Sequence, residues 1–120
     1  MTLFWIRAAS AVMFLGVALG AFGAQGLKDV LSEPMKAVFE TGVRYQMIHG
    51  IALFVVAWLS TRGPSGSVFA AGWCFVAGIV LFSGSLYVLS LTGVRAWGAV
   101  TPIGGLAFLT GWLCLALSQV

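Results

Sequence analysis

Residues 68–91 read VFAAGWCFVAGIVLFSGSLYVLSL, a run without a single charged side chain. As an α-helix this run would be about 36 Å long, which exceeds the roughly 30 Å hydrocarbon core of a bilayer. A backbone in lipid must satisfy its hydrogen-bonding groups within its own segment. An apolar run of this length therefore predicts a membrane-spanning helix.

Three further runs pass the same test of length and apolarity. They cover about Leu3 to Ala24, Val43 to Leu59 and Pro102 to Leu117. A turn cluster rich in Gly, Pro and Ser, Thr61–Ser67, separates the second run from the third. The sequence predicts one domain, residues 1–120, folded as an all-α membrane protein with four transmembrane helices in one bundle. The first run also resembles a signal peptide, but it is long for the apolar part of one, so we expect it to stay as a helix.

The composition favours lipid as the main surrounding of the chain. Of 120 residues, 61% are hydrophobic and only 8% are charged, whereas soluble domains carry roughly 25% charged residues. The net charge of +3 comes from six scattered Lys and Arg residues. They form no basic stripe, so we expect no nucleic-acid partner. Cys74 and Cys114 lie within apolar runs, and no Cys/His cluster is present, so we expect no metal and no other cofactor.

The link from residue 25 to about residue 42 predicts a short amphipathic interfacial helix between helices one and two. Ser32 is typical of an N-cap, and Pro34 fits the first helical turn. Apolar and charged side chains then fall on opposite faces. The alternative is that helix two simply begins early. Two opposite-charge pairs are predicted four residues apart, Lys36–Glu40 and the interfacial charge pair Glu40–Arg44.

Small residues at helical spacing predict close contacts between the helices. Association of helices in lipid depends on close van der Waals packing, which small side chains permit. The predicted helix-packing residues are Gly16, Gly20, Ala24, Gly78, Ala107 and Gly111.

The polar side chains are concentrated toward one face of the membrane. Face A carries the N-terminus, the 61–67 turn and the C-terminus, and face B carries the other two links. Polar groups in a membrane are costly and usually face a bundle interior or a wet cavity. The sequence therefore offers a candidate polar pocket open to face B. Its residues are Gln25, Tyr45, Gln46, His49, Ser83 and Tyr87. The alternative is that these side chains bond to one another and lock the bundle.

Aromatic and basic residues give the expected placement in the bilayer. Trp5, Trp58 and Trp73 fall near face A and Trp97 near face B, as in an interfacial aromatic belt. Four of the six Lys and Arg residues fall near face B. The positive-inside rule therefore places face B in the cytoplasm and both termini outside.

Four motifs in the chain resemble one protein family. They are GAFGAQGL at 20–27, TGVRYQMIH at 41–49, FSGSLY at 82–87 and TPIGG at 101–105. In this order they resemble the domain of unknown function family 423, which includes the transmembrane protein 256-like proteins. The resemblance implies a multi-pass protein of four helices, in a bacterial inner (plasma) membrane or an organelle, without an assigned activity. The family usually has His where this chain has Gln25, which puts in doubt any mechanism needing an ionisable group or metal ligand there.

Three classes of function remain open from the sequence. The first is a non-catalytic accessory subunit, assembly factor or self-associating bundle, with a larger membrane complex or a second copy as partner. The second is a transport or binding module for a small solute, ion or lipid, which would use the polar pocket. The third, an intramembrane enzyme, lacks a paired-carboxylate site and an identifiable nucleophile–base pair. We expect no enzyme and favour the first class.

Overall fold

A computed structural model describes all 120 residues and contains four long helices and no strand. The helices are α1 (Thr2–Leu27), α2 (Glu33–Ser60), α3 (Gly66–Thr92) and α4 (Arg95–Ala116). Each is long and apolar enough to cross a membrane. The prediction of an all-α protein with four transmembrane helices is confirmed.

Two of the helices contain π-helical segments that contact the same part of α2. The segments are Ala18–Gly23 in α1 and Ile79–Ser83 in α3. A Cβ on Gly20 would lie 3.1 Å from Val43, and the Ser83 hydroxyl donates a hydrogen bond of 2.7 Å to the Gly42 carbonyl. Both irregular segments therefore pack against one turn of α2.

The predicted separate interfacial helix is wrong, because α2 runs without a break from Glu33 to Ser60. Its start matches the sequence prediction, since the Ser32 side chain caps the Met35 amide and Pro34 lies in the first turn. The helix continues because nothing interrupts it near residue 42. Thr41 bonds the Ala37 carbonyl of its own helix at 2.9 Å, and Phe39 is buried. At about 1.5 Å per residue α2 is about 42 Å long and extends beyond the hydrocarbon core.

The charged side chains near face B pair differently from the prediction. The ion pair in the structure joins Lys36 Nζ to Glu33 at 2.9 Å. Neither Lys36–Glu40 nor the interfacial pair Glu40–Arg44 forms. Lys36 pairs instead with Glu33 in the first turn of the helix. The negative charge of Glu33 is also stabilised there by the positive end of the helix dipole.

α2 is the central helix of a thin bundle. It packs against α1 on one side and α3 on the other, and α4 packs against α3. Half of the residues in the apolar part of α2 are buried, against 17% in α1 and in α4. The extents of the molecule, 48 × 26 × 16 Å, reflect this arrangement. Most of the surface of α1 and α4 therefore faces outward.

The main apolar core lies toward face A, and Trp5 is part of it. Trp5 is fully buried, and a Cβ on Gly72 of α3 would overlap its ring. The prediction that Trp5 belongs to the interfacial belt is therefore wrong. Trp58, Trp73 and Trp97 are exposed. The core consists of Trp5, Ala9, Ala52, Leu53, Val56, Ala57, Val68, Ala71, Phe75, Ile79 and Phe108.

Glycines on all four helices allow close approaches between helices, and four of the six predicted packing positions are among them. A Cβ on Gly16 would lie 2.9 Å from Met47, and one on Gly20 would crowd Val43. Between α3 and α4 the contacts are reciprocal, because Gly78 receives Phe108 and Gly111 receives Phe75.

The other two predicted packing residues, Ala24 and Ala107, are only partly buried. The tightest backbone approach on α4 is instead at Gly104, where a Cβ would overlap the Phe82 backbone. A helix backbone cannot move aside as a flexible side chain can.

We expect Gly104→Ala to destabilise the bundle by about 1–3 kcal/mol, because the added methyl overpacks the α3–α4 contact. Gly84→Ala is the matched control, since a Cβ at Gly84 meets nothing within 4 Å. Thermal unfolding in detergent would measure both. An unchanged melting temperature for Gly104→Ala would contradict the close approach.

Candidate functional site

Gln46 joins three helices through one amide group. The side chain is buried on α2. Its Nε2 donates to the Val12 carbonyl of α1 at 2.9 Å. Its Oε1 accepts from the Tyr87 hydroxyl of α3 at 2.6 Å. Both ends of the amide are thereby satisfied inside the bundle, as buried polar groups require.

Serine hydroxyls add further contacts of the same kind. Ser83 is buried and bonds the Gly42 carbonyl across the α2–α3 contact. Ser85 lies 2.6 Å from the Thr101 hydroxyl, which ties α3 to the start of α4. Because no water is available within lipid, these hydroxyls bond to protein groups of the neighbouring helix.

His49 lies on the α4 side of α2 and is also fully bonded. Its Nδ1 is 2.8 Å from the Tyr45 carbonyl, and the Trp112 Nε1–H donates to its Nε2 at 3.0 Å. The imidazole stacks on Phe108 with ring centroids 3.6 Å apart and an angle of 9° between planes.

These contacts fix the protonation of the imidazole. A carbonyl oxygen only accepts, so Nδ1 carries the hydrogen. Nε2 accepts from the indole, so it carries none. The structure therefore specifies the neutral Nδ1–H tautomer, and a second proton on Nε2 would face the Trp112 donor.

Next to His49 an aromatic groove opens sideways to the membrane between α2 and α4. Its volume is about 400 Å³. Phe82 of α3 contacts Tyr45 here, with ring centroids 4.5 Å apart. The groove is lined by Tyr45, His49, Phe82, Pro102, Gly105, Leu106, Phe108, Leu109 and Trp112. We call it the α2–α4 groove.

The structure does not bring the six predicted pocket residues into one pocket. Gln46, Tyr87 and Ser83 form the bonded set between α1, α2 and α3. Tyr45 and His49 line the α2–α4 groove on the other side of α2. Gln25 is exposed and belongs to neither set. The six residues therefore do not line one pocket: Gln46 bonds to α1 and α3, whereas His49, about 60° away around the axis of α2, bonds Trp112 of α4.

The sequence analysis did not identify Trp112 and Phe108 as partners of His49. A signal was available, since a lone histidine in an apolar segment requires partners for both ring nitrogens, and an indole N–H is one of few donors at that depth. The face of α4 that meets His49 could not be derived from the sequence. Among buried side-chain nitrogen and oxygen atoms, only Trp5 Nε1 is unpartnered.

Four apolar helices joined by interhelical hydrogen bonds define a multi-pass membrane protein. The profile of the family described as "Protein of unknown function (DUF423)" matches residues 19–105. The chain belongs to this family, as the motifs in its sequence indicated.

Bacterial membrane proteins of unassigned function are similar along almost the whole chain. The UPF0382 membrane protein YwdK of Bacillus subtilis is 50% identical over 107 residues, covering 88% of this chain and 87% of that protein. The UPF0382 membrane protein SH2409 of Staphylococcus haemolyticus is 48% identical over 118 residues, with coverage of 98% and 95%. No solved structure matches. The chain is thus a multi-pass membrane protein that is similar to bacterial membrane proteins over almost its whole length.

We expect Gln46→Leu to lower the unfolding free energy by about 1–3 kcal/mol, because the Val12 carbonyl and the Tyr87 hydroxyl lose a shared partner. Tyr87→Phe should cost less, near the ~0.6 kcal/mol average for interhelical hydrogen bonds in membranes. A double-mutant cycle in detergent measures the coupling. Strict additivity of the two substitutions would contradict the direct bond.

We expect nitrogen NMR of histidine-labelled protein to show the neutral Nδ1–H tautomer. The chain contains one histidine, so the spectrum reports on His49 alone. Trp112→Phe removes the indole donor and should shift the Nε2 resonance. A dominant Nε2–H form in the unsubstituted protein would contradict the bonding described above.

Proposed function

We propose that this protein is a non-catalytic membrane component that acts by helix association, as an accessory subunit, assembly factor or self-associating bundle. The polar side chains of the interior support this role, because they bond to one another and leave no open reactive group. The thin bundle supports it too, since α1 and α4 bury little of their own surface.

The observation that carries the proposal is the Ser10 hydroxyl on α1. Ser10 is exposed and makes no hydrogen bond within the protein. Apart from Thr2 at the start of α1, the other serine and threonine hydroxyls in the spans have partners; Ser60 and Thr110, for example, bond the carbonyl four residues earlier at 2.8 Å. Serine side chains that hydrogen-bond across helices are a common means of association in lipid.

The surface beside Ser10 has a shape that suits a neighbouring helix. An almost purely apolar depression of about 420 Å³ follows α1. Phe14 and Phe22 protrude from its edges, 76% and 77% exposed, and the small Ala18 lies between them. We call this surface, lined by Ser10, Met13, Phe14, Val17, Ala18 and Phe22, the α1 face. Its protruding rings and central hollow favour interdigitation with side chains of a partner helix.

A transport role receives less support from the geometry. A path through the bundle would need polar groups along its length, whereas the interior toward face A is apolar and the polar groups toward face B are bonded together. Binding at the α2–α4 groove remains compatible with an accessory role, because the groove and the α1 face lie on different parts of the surface.

The proposal predicts that the α1 face mediates association. Ser10→Ala combined with Phe14→Ala should abolish or weaken it at least about tenfold, since it removes one hydrogen-bonding group and one packed ring. The measurement is nanodisc extraction from the native host, followed by mass spectrometry of stoichiometric partners and single-molecule counting of copies.

Thr110→Ala combined with Phe54→Ala is the matched control, because Thr110 bonds its own helix and Phe54 is an exposed ring on α2. The control should associate as the unsubstituted protein does. A protein that is monomeric and partner-free in the native membrane would overturn the proposal. An equal loss of association in both double variants would also overturn it, because the α1 face would then have no specific role.

A further inference from the structure

We propose that the α2–α4 groove binds one acyl chain of an anionic phospholipid from the face B leaflet, with the lipid phosphate held by Arg44 and the Tyr45 hydroxyl. This inference goes beyond the association proposed for α1 and does not depend on it. It rests on the length of the groove, on an unpaired arginine and on an unpaired tyrosine hydroxyl.

The groove has the depth of one leaflet. Along α4 its lining extends from Pro102, at the face B end, to Trp112. These residues are separated by about 15 Å along the helix axis. That distance is half of the roughly 30 Å hydrocarbon core. A chain anchored at the face B surface would thus end near Trp112 at the middle of the membrane.

The groove walls suit an acyl chain. Phe82, Phe108 and the half-exposed Trp112 provide flat apolar surfaces, while the His49 nitrogens are already bonded and present no free donor. Gly105 keeps the space open, because it lines the groove without a side chain. A Cβ there would meet only Phe82, at 3.9 Å.

The lining of the groove includes one polar side-chain group without a partner in the protein, the Tyr45 hydroxyl. Tyr45 is 37% exposed; its carbonyl bonds His49, but its hydroxyl bonds nothing. A hydroxyl in apolar surroundings needs an acceptor. A phospholipid phosphate can supply that acceptor.

Arg44 selects the charge of the occupant. It lies beside the groove and not in its lining, since it precedes Tyr45 on α2 and is about 100° away around the helix axis. Its side chain is exposed and forms no ion pair. Glu40, one turn toward face B, is exposed as well but does not pair with it. The guanidinium is long enough to reach the headgroup level and binds phosphate with paired N–H groups. A net negative headgroup is therefore favoured over a zwitterionic one.

Native mass spectrometry of the full chain, with equimolar phosphatidylglycerol and phosphatidylcholine, tests the inference. We expect the protein to retain one phosphatidylglycerol. Arg44→Gln should reduce the preference for phosphatidylglycerol about tenfold, as for the loss of one charge-assisted contact. Tyr45→Phe should reduce it less. Gly105→Leu should reduce retention of both lipids, because the side chain fills the groove.

Two matched controls separate these effects from general damage. Arg62→Gln removes an exposed arginine at face A, and Gly84→Leu adds the same side chain at an open glycine outside the groove. Both should retain phosphatidylglycerol, and thermal unfolding confirms that each variant is folded. Equal retention of the two lipids by the unsubstituted protein would overturn the inference. Unchanged retention in a folded Gly105→Leu variant would also overturn it.

Discussion

The amide of Gln46 is the interaction on which the arrangement of the first three helices depends. One end accepts from α3 and the other donates to α1, so a single side chain of α2 sets the relative position of all three. In lipid no water competes for either end, and a shift of any of these helices would leave a polar group unpaired. α2 lies at the centre of these contacts and has the largest buried fraction of the four helices.

Glycine and aromatic residues complete the packing of the bundle by joining α4 to α3. The α3–α4 contact is built from rings that enter glycine sites on the opposite helix, Phe108 at Gly78 and Phe75 at Gly111. The approach brings Trp112 to His49, so the histidine becomes part of the contact between α2 and α4. The same approach leaves room for the α2–α4 groove, since the rings fill the interior and not the outer edge.

The number of helices and their approximate spans could be derived from the sequence, because apolar length and the bilayer thickness determine them. The start of α2 at Ser32 could be recognised, but its continuity could not, since Thr41 and Arg44 resemble a membrane boundary and only tertiary packing shows otherwise. The polar residues of the spans could be recognised from the sequence, but the structure places five of the six predicted pocket residues in two separate sets and Gln25 in neither. Their division into two sets depends on the rotation of α2 about its axis and on which helix each of its faces meets, and neither can be read from the sequence. The same rotation made Trp5 a core residue instead of a belt residue.

The π-helical segment of α3 sets the angular phase between the two halves of that helix. A π turn closes its hydrogen bond over one more residue than an α turn, and each residue of an α-helix turns the chain by about 100°. Before the segment, α3 presents Phe75 to α4; after it, α3 presents Tyr87 to α2. Loss of one residue between 79 and 83 would convert the π turn into an α turn and leave the orientation of Tyr87 toward Gln46 nearly unchanged, whereas loss of one residue from a regular part of α3 between Phe75 and Tyr87 would turn Tyr87 by about 100°. α3 should therefore tolerate the loss of one residue in this segment better than in the regular α-helical turns on either side of it.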